Sequence, residues 1–309
     1  MVEPTLRDTF GDYLIKNGNK FKDVIVLDAD LSSSTKTFKF AEKFSERFFN
    51  MGIAEQNMLG AAIGFAISGK IPVVSGFSIF TTGRAWEFIR LACHDNLNIK
   101  IITTHGGIVG EDGSTHNALE DLSLMTSLPN LTIFVPADNI ELVQILDYAF
   151  SNENPTYIRL PRESFPKIHD DNFKFMLGKP DILRDGDEIC LIGTGYGSFL
   201  ALESVQKIEH DLKISVKVLN LSSIKPIDKP YLMNLVKNIK GIIIIEEHNI
   251  YCGFGSILAR IFSEKNPIPM KFIGTGNSFV HSGKRNEILN AYGLNVKNIV
   301  EHVRNLLRK

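Results

Sequence analysis

The segment at residues 50–66, NMGIAEQNMLGAAIGFA, carries one charge, Glu55, among glycines and apolar side chains. Two readings of that acid are open. A carboxylate in the first turn of a helix is stabilised by the helix dipole by roughly 0.3–1 kcal/mol, which would make it structural. A carboxyl buried in apolar company instead has a raised pKa and can hold a proton at neutral pH. Such a group suits bonding to the nitrogen of a protonated heterocycle. Phe77 and Phe80 follow the next predicted strand. A carboxyl and a ring from adjacent strand ends can clamp a flat heterocycle, one by hydrogen bond and one by stacking. The same two rings also read as core, and spacing does not decide.

A second cluster lies at residues 104–122, THGGIVGEDGSTHNALEDL, where His105, Glu111, Asp112 and His116 sit among glycines. Histidines beside an acid in a bent loop suit hydrogen bonding to a polyhydroxy substrate, or proton shuttling near neutral pH. The spacing of the two histidines has no metal-ligand logic. A solvated loop turned by Asp112-Gly113 is the structural alternative. Two other glycine-rich stretches carry less. IGTGYGS at 192–198 is one residue short of a dinucleotide-binding fingerprint, so its glycines read as serving a tight turn. EEHNIYCGFGS at 246–256 offers His248, with structural bonding at a strand end the favoured reading.

Elements must hold these residues in place. Short β-branched runs at 24–28, 71–77, 99–104, 131–135 and 156–160 predict strands. Helices are predicted between them at 55–68, 82–95, 118–127 and 138–151. Strands this apolar predict a mostly parallel sheet covered on both faces, with ligands at the carboxyl ends. Residues 161–187, rich in proline, glycine and charge, break the rhythm and read as a connection with a short strand near 174–178. Alternation then resumes, with strands at 188–193, 214–219, 241–246 and 270–274 and helices at 197–209, 229–238 and 253–264. The expected organisation is α/β throughout: a first domain over 1–165, a linker over 166–187 and a second, smaller domain over 188–309.

Of 309 residues, 44% are hydrophobic and 22% charged, with formal net charge −1. That balance argues against bulk attraction to nucleic acid or an anionic membrane. No apolar stretch has the length of a membrane span. Three cysteines without a CxxC spacing argue against a disulfide framework or a structural zinc site and fit a reducing cytoplasm.

The stretches LDADLSSSTKT, RFFNMGIAEQNM, TGRAWEFIR, GEDGSTHNALEDL and VPAD, in this order, resemble the C-terminal half of thiamine-diphosphate-dependent transketolases. The likeness is strongest to the C-terminal subunit of split, two-chain transketolases, and it runs from about residue 5 to the end. It implies a pyrimidine-binding domain followed by a transketolase C-terminal domain, and transfer of a two-carbon ketol unit from a ketose to an aldose. In that family the glutamate matching Glu55 bonds the cofactor pyrimidine and drives the tautomer that generates the thiazolium ylide. The resemblance also implies that Phe80, with Phe77 beside it, stacks on the pyrimidine. It implies that His116 contacts the donor ketose, that Asp112 reads an acceptor hydroxyl, and that His105, Ser34, Arg7 and Arg162 bind the sugar phosphate.

The family holds the diphosphate and magnesium through a GDG…N motif, and this chain has no GDG triplet. The resemblance therefore implies an N-terminal transketolase subunit that carries the motif and the Mg2+, in a heterotetramer with two of each chain. The loop HGGIVGEDG is one residue shorter than the transketolase pattern and matches the length in 1-deoxyxylulose-5-phosphate synthase. FVHSG at 279–283 leans the same way, whereas His105 stands where that enzyme carries arginine and favours transketolase. Asn117 replaces a glutamine and would alter donor contacts. A 2-oxoacid dehydrogenase beta subunit and a non-catalytic scaffold complete the alternatives.

Overall fold

The structure, a computed structural model, describes residues 4–308. Its strands are β1 Val24–Asp28, β2 Phe48–Asn50, β3 Ile71–Ser75, β4 Lys100–Thr103, β5 Thr132–Phe134 and β6 Thr156–Arg159, then β7 Asp181–Arg184, β8 Ile189–Gly193, β9 Val216–Asn220, β10 Ser223–Lys225, β11 Gly241–Asn249 and β12 Met270–Thr275. They form a seven-stranded sheet in the order β10-β5-β6-β4-β3-β1-β2 and a five-stranded sheet in the order β12-β11-β8-β9-β7. All pairings are parallel except β10 with β5 and β7 with β9. The α/β reading of two consecutive, mostly parallel sheets flanked by helices holds.

The sheet interiors explain why these runs become strands. Every residue of β1, β4, β6 and β8 is buried. Helices cover both faces, so continuous Val/Ile runs are required in place of an apolar–polar alternation. The carboxyl ends of β6, β4, β3, β1 and β2 lie side by side at one edge of the first sheet, and Ser34, Glu55, Phe77, Phe80, His105, Asp112, His116 and Arg162 follow from those ends.

Several elements differ from expectation. The helix expected over 82–95 is two helices, Ser78–Arg84 and Trp86–His94, broken at Ala85 with φ −111° and ψ 18°. The helix expected over 118–127 is shortened to Asp121–Thr126 because Ala118 pairs with Gly107. No strand forms at 174–178: Gly178 (φ +77°) and Pro180 turn the chain there. The strand is β7, which lies inside the stretch read as the connection. Helices Leu6–Asn17, Arg285–Ala291 and Val296–Leu307 also go beyond the sequence reading.

The two halves are tied together. β10, from the later part of the chain, adds antiparallel to the edge of the first sheet beside β5. One apolar cluster runs without interruption from Ile25, Met58 and Ile101 to Ile192, Leu219 and Phe254. Buried charge reinforces the joint. Arg159 Nε stands 2.8 Å from Asp121 Oδ2, with side-chain exposures of 5% and 0%. Arg159 Nη2 donates to the carbonyls of Ala118 and Glu247. Tyr157 donates its hydroxyl to Asp121, and His248 Nε2 lies 3.8 Å from the same carboxylate. Farther along, His169 sits between Asp138 (2.9 Å) and Asp181 (3.4 Å). Burial works against the imidazolium, but bonding to Asp138 and Asp181 outweighs it and raises the His169 pKa to about 10.

Candidate functional site

Glu55 opens the helix Glu55–Ile67 and is 4% exposed. Its Oε1 accepts from Arg84 Nη1 at 2.8 Å. The acid is thus both a helix-start residue and a buried one, and it has an ion-pair partner that neither sequence reading included. Arg84 ends the helix Ser78–Arg84, one turn beyond Phe80, and its guanidinium carbon lies 4.2 Å from the Phe80 ring centroid. The sequence reading did not single out Arg84; helical spacing of four residues, which puts Phe80 and Arg84 on one face, is the signal that could have found it. Its pairing with a carboxylate from another helix has no such signal.

Phe77 precedes that helix and is held by pairing with Thr104 in a parallel bridge. Ser78 fixes the helix start, its amide donating to the Thr104 carbonyl and its hydroxyl bonding Thr103 Oγ1 at 2.8 Å. Phe77 and Phe80 stack at 6.1 Å between centroids. His105 lies on Phe77 at 3.8 Å, and the His116 ring meets the Phe80 ring edge-on at 5.1 Å. Phe77 is 8% exposed and Phe80 is half-buried, so the ring that carries Arg84 is the more accessible of the two.

His105 adopts φ +60°, the left-handed region that non-glycine residues rarely occupy. The next residues explain the tight path: a Cβ on Gly106 would lie 2.4 Å from Arg159 Cγ. Burial first, then repulsion from Arg7, Arg162 and His116, push the His105 pKa down to about 3. Its imidazole is therefore neutral across the physiological range, Nδ1 beside Thr104 Oγ1 and Nε2 3.6 Å from Asp112.

Asp112 binds Arg162 Nε at 2.8 Å, and Arg162 also reaches Glu163. Arg7 Nη1 donates to the backbone carbonyl of Ser34 at 2.8 Å, which sets the two expected phosphate residues side by side. Arg7 Nε is buried with no partner among the described residues, and burial lowers the Arg7 pKa. A desolvated guanidinium with an unused donor is suited to an anion. Asn117 does not face this space as expected. Its amide is buried, accepting from Val109 N–H and reaching the carbonyls of Gly113 and Val280, which ties the 104–117 loop to the 279–283 segment.

The structure thus brings Glu55, Phe77, Phe80, His105, Asp112, His116, Arg162, Arg7 and Ser34 to one edge of the first sheet. It leaves out the other two stretches. At 192–198 a Cβ on Gly193 would lie 2.4 Å from Ser198 N and one on Gly197 2.1 Å from the Ile245 carbonyl; these glycines serve the turn. In 246–256 Glu246 caps the helix Phe254–Lys265 through the amides of Phe254 and Gly255, and Glu247 pairs with Arg285. Among the described residues no three His, Cys, Asp or Glu side chains gather to hold a metal ion, and no helix is long and apolar enough to cross a membrane.

The surface beside Glu55 is open. Ile53 and Ile67 are 77% and 69% exposed, and Cβ atoms on Gly52, Gly64 or Gly83 would meet nothing within 4 Å. An apolar helix is ordinarily buried all round; this one buries only part of its circumference within the chain.

Comparison with known proteins agrees with this architecture. The family model for the transketolase pyrimidine-binding domain matches residues 2–167, and that for the transketolase C-terminal domain matches residues 178–299. A putative transketolase C-terminal section from Methanocaldococcus jannaschii is 38% identical over 98% of this chain and 96% of its own. A 1-deoxy-D-xylulose-5-phosphate synthase from Pelotomaculum thermopropionicum is 32% identical over 97% of this chain but only 48% of its own length. Among solved structures, a split-gene transketolase described as an inactive beta4 tetramer superposes with a TM-score of 0.89, at 38% identity and 99% coverage of both chains.

Proposed function

This chain belongs to the transketolase family, as a C-terminal subunit of the split type, and from that premise we propose that it is the pyrimidine-binding half of a two-chain enzyme. That enzyme transfers a two-carbon ketol unit from a ketose, or ketose phosphate, to an aldose. The observation that carries the reading is the convergence of a buried carboxylate, a half-open aromatic face and a cationic mouth at one sheet edge. Thiamine diphosphate, when bound, supplies the nucleophilic carbon that takes up and passes on the two-carbon unit.

The residues present fit the pyrimidine end of that cofactor. Glu55 offers a carboxylate to a ring nitrogen from a site nearly closed to water, where sharing a proton is strongest. Phe80 offers the stacking face. His116, edge-on to Phe80, would bond a donor hydroxyl, and the neutral His105 offers a hydrogen bond without a charge. Asp112 orients Arg162, and Arg162 and Arg7 together supply cations for a phosphate or other anion at the mouth. The diphosphate and Mg2+ are assigned to an N-terminal partner subunit, because the chain lacks the GDG triplet. The open apolar surface around Ile53, Gly64 and Ile67 supports a partner there, and the split-gene relative whose beta chains alone are described as inactive is in keeping with this.

The test is to co-express this chain with an N-terminal transketolase subunit, one bearing the GDG…N motif, and to assay ketose donors against aldose acceptors. Turnover that needs both chains and falls away with Glu55→Ala supports the proposal. Turnover by the lone chain, or unchanged turnover in Glu55→Ala, overturns it. The second reading rests on the match to the deoxyxylulose-phosphate synthase. Pyruvate consumption with release of carbon dioxide would favour it over ketol transfer.

A further inference from the structure

Arg84 makes the two contacts that the reading above assigns to the cofactor ring. Its guanidinium is planar and cationic. Nη1 donates to Glu55 Oε1 at 2.8 Å, and its carbon lies 4.2 Å from the Phe80 ring centroid. A protonated aminopyrimidine is also planar, carries N–H donors toward a carboxylate and stacks on an aromatic face. A ring stacked on that Phe80 face with a nitrogen toward Glu55 Oε1 would need the place the guanidinium fills.

The surroundings suit an occupant that leaves. Glu55 is 4% exposed while the Arg84 side chain is 49% exposed. Arg84 ends a seven-residue helix that stops at Ala85, and a Cβ on the preceding Gly83 would meet nothing within 4 Å. A rotation about the side-chain bonds returns the guanidinium to water, and the half-exposed arginine, readily rehydrated, loses little by the move. Glu55 has no such option, because its backbone is fixed at the helix start and its carboxyl stays inside. An unpaired buried carboxylate is costly, so something must face it whenever the cofactor does not.

We propose that Arg84 is a built-in occupant of the pyrimidine slot, holding Glu55 paired while the cofactor is absent and competing with the cofactor for Glu55 and Phe80. The proposal rests on the reading of Glu55 and Phe80 as the pyrimidine contacts. It makes Arg84 a positioning residue whose departure frees the carboxylate to share a proton with the ring.

The experiment is calorimetric titration of thiamine diphosphate with magnesium into the assembled apo two-chain enzyme, comparing the natural protein with Arg84→Met and Arg84→Lys. Removing the competitor tightens binding about fivefold in Arg84→Met, the size expected of an exposed ion pair with a cation–π contact. Arg84→Lys keeps the charge but loses the plane, so it falls between the two. In a Glu55→Gln background, where no carboxylate holds the guanidinium, Arg84→Met changes affinity by less than about twofold. If Arg84→Met does not fold, as judged by circular dichroism of the lone chain, Arg84→Lys carries the comparison with the same sign. Unchanged or weaker binding in the folded Arg84 variant overturns the proposal, and so does an equal gain in the Glu55→Gln background. Turnover in Glu55→Ala separates this from the reading beneath it: a dead Glu55→Ala with a silent Arg84→Met removes the occupant alone, while a fully active Glu55→Ala removes the site assignment.

Discussion

Two arginine–carboxylate pairs in this chain share a 2.8 Å contact and little else. Arg159 and Asp121 are both sealed inside the joint between the halves, at 5% and 0% exposure. Around them Tyr157, the Ala118 and Glu247 carbonyls and His248 complete the enclosure. Glu55 is as buried as Arg159, yet its arginine stands half in water. A charge closed in on every side contributes to holding the fold. A buried charge whose partner reaches it from solvent can be handed to something else.

The sharpest way to break this comparison is at Glu55. In the assembled enzyme Glu55→Ala is expected to lower turnover by about 10²–10⁴, the usual reach of an acid–base group, while urea unfolding of the lone chain changes modestly. The joint behaves in the opposite way. Arg159→Met strands Asp121 without its counter-charge and is expected to cost about 3–5 kcal/mol in urea unfolding. Arg84→Met also leaves a buried carboxylate unpaired, but one that water reaches along the path the half-exposed guanidinium occupied, and it is expected to cost less, about 1–3 kcal/mol. Equal costs for the two arginines would dissolve the distinction.

Histidines on the two sides should give opposite pH slopes. His169 has its pKa raised from an ordinary 6.5 to about 10, so the folded state holds a proton that the unfolded chain has lost. Its stabilisation is complete below about pH 6.5 and disappears as pH rises through about 10. His105 is lowered to about 3, so the unfolded chain takes up the extra proton and stability falls as pH drops below about 6.5. Thermal melts over this range check both. His169→Ala should flatten the alkaline limb and leave the acid limb in place, and the pH–rate profile near neutrality should show no limb from His105. The smallest effect is expected at Gly64, where an added methyl meets nothing within the chain. Gly64→Ala should raise lone-chain stability by about 0.5–1 kcal/mol through helix propensity and weaken association with the partner, as followed by sedimentation.

What the sequence disclosed follows from which interactions are local. The buried strands were legible because an unbroken run such as VIVLD fits only a strand covered on both faces. Glu55 was legible as one charge in apolar company, and the 104–122 loop as polar chemistry at a strand end. What escaped depends on elements distant in sequence. The Arg84–Glu55 pair joins two helices, and the burial of Asn117 depends on the carbonyl of Val280. Nor does the sequence show which way the glycines of 50–66 face: an added Cβ on Gly52 or Gly64 meets nothing within 4 Å, so neither is small for the sake of packing within this chain.

The shared sheet also sets a schedule for synthesis. β5 is made by Phe134, but the strand that covers its edge begins only at Ser223, and the apolar cluster closes still later with Phe262. A nascent chain that has released its first half therefore carries a bare sheet edge and an uncovered apolar face while the rest is being translated. Such surfaces invite pairing with neighbouring chains. The later segment acts as an internal chaperone for the earlier one, and cutting the chain between β6 and β8 should yield a first half that precipitates.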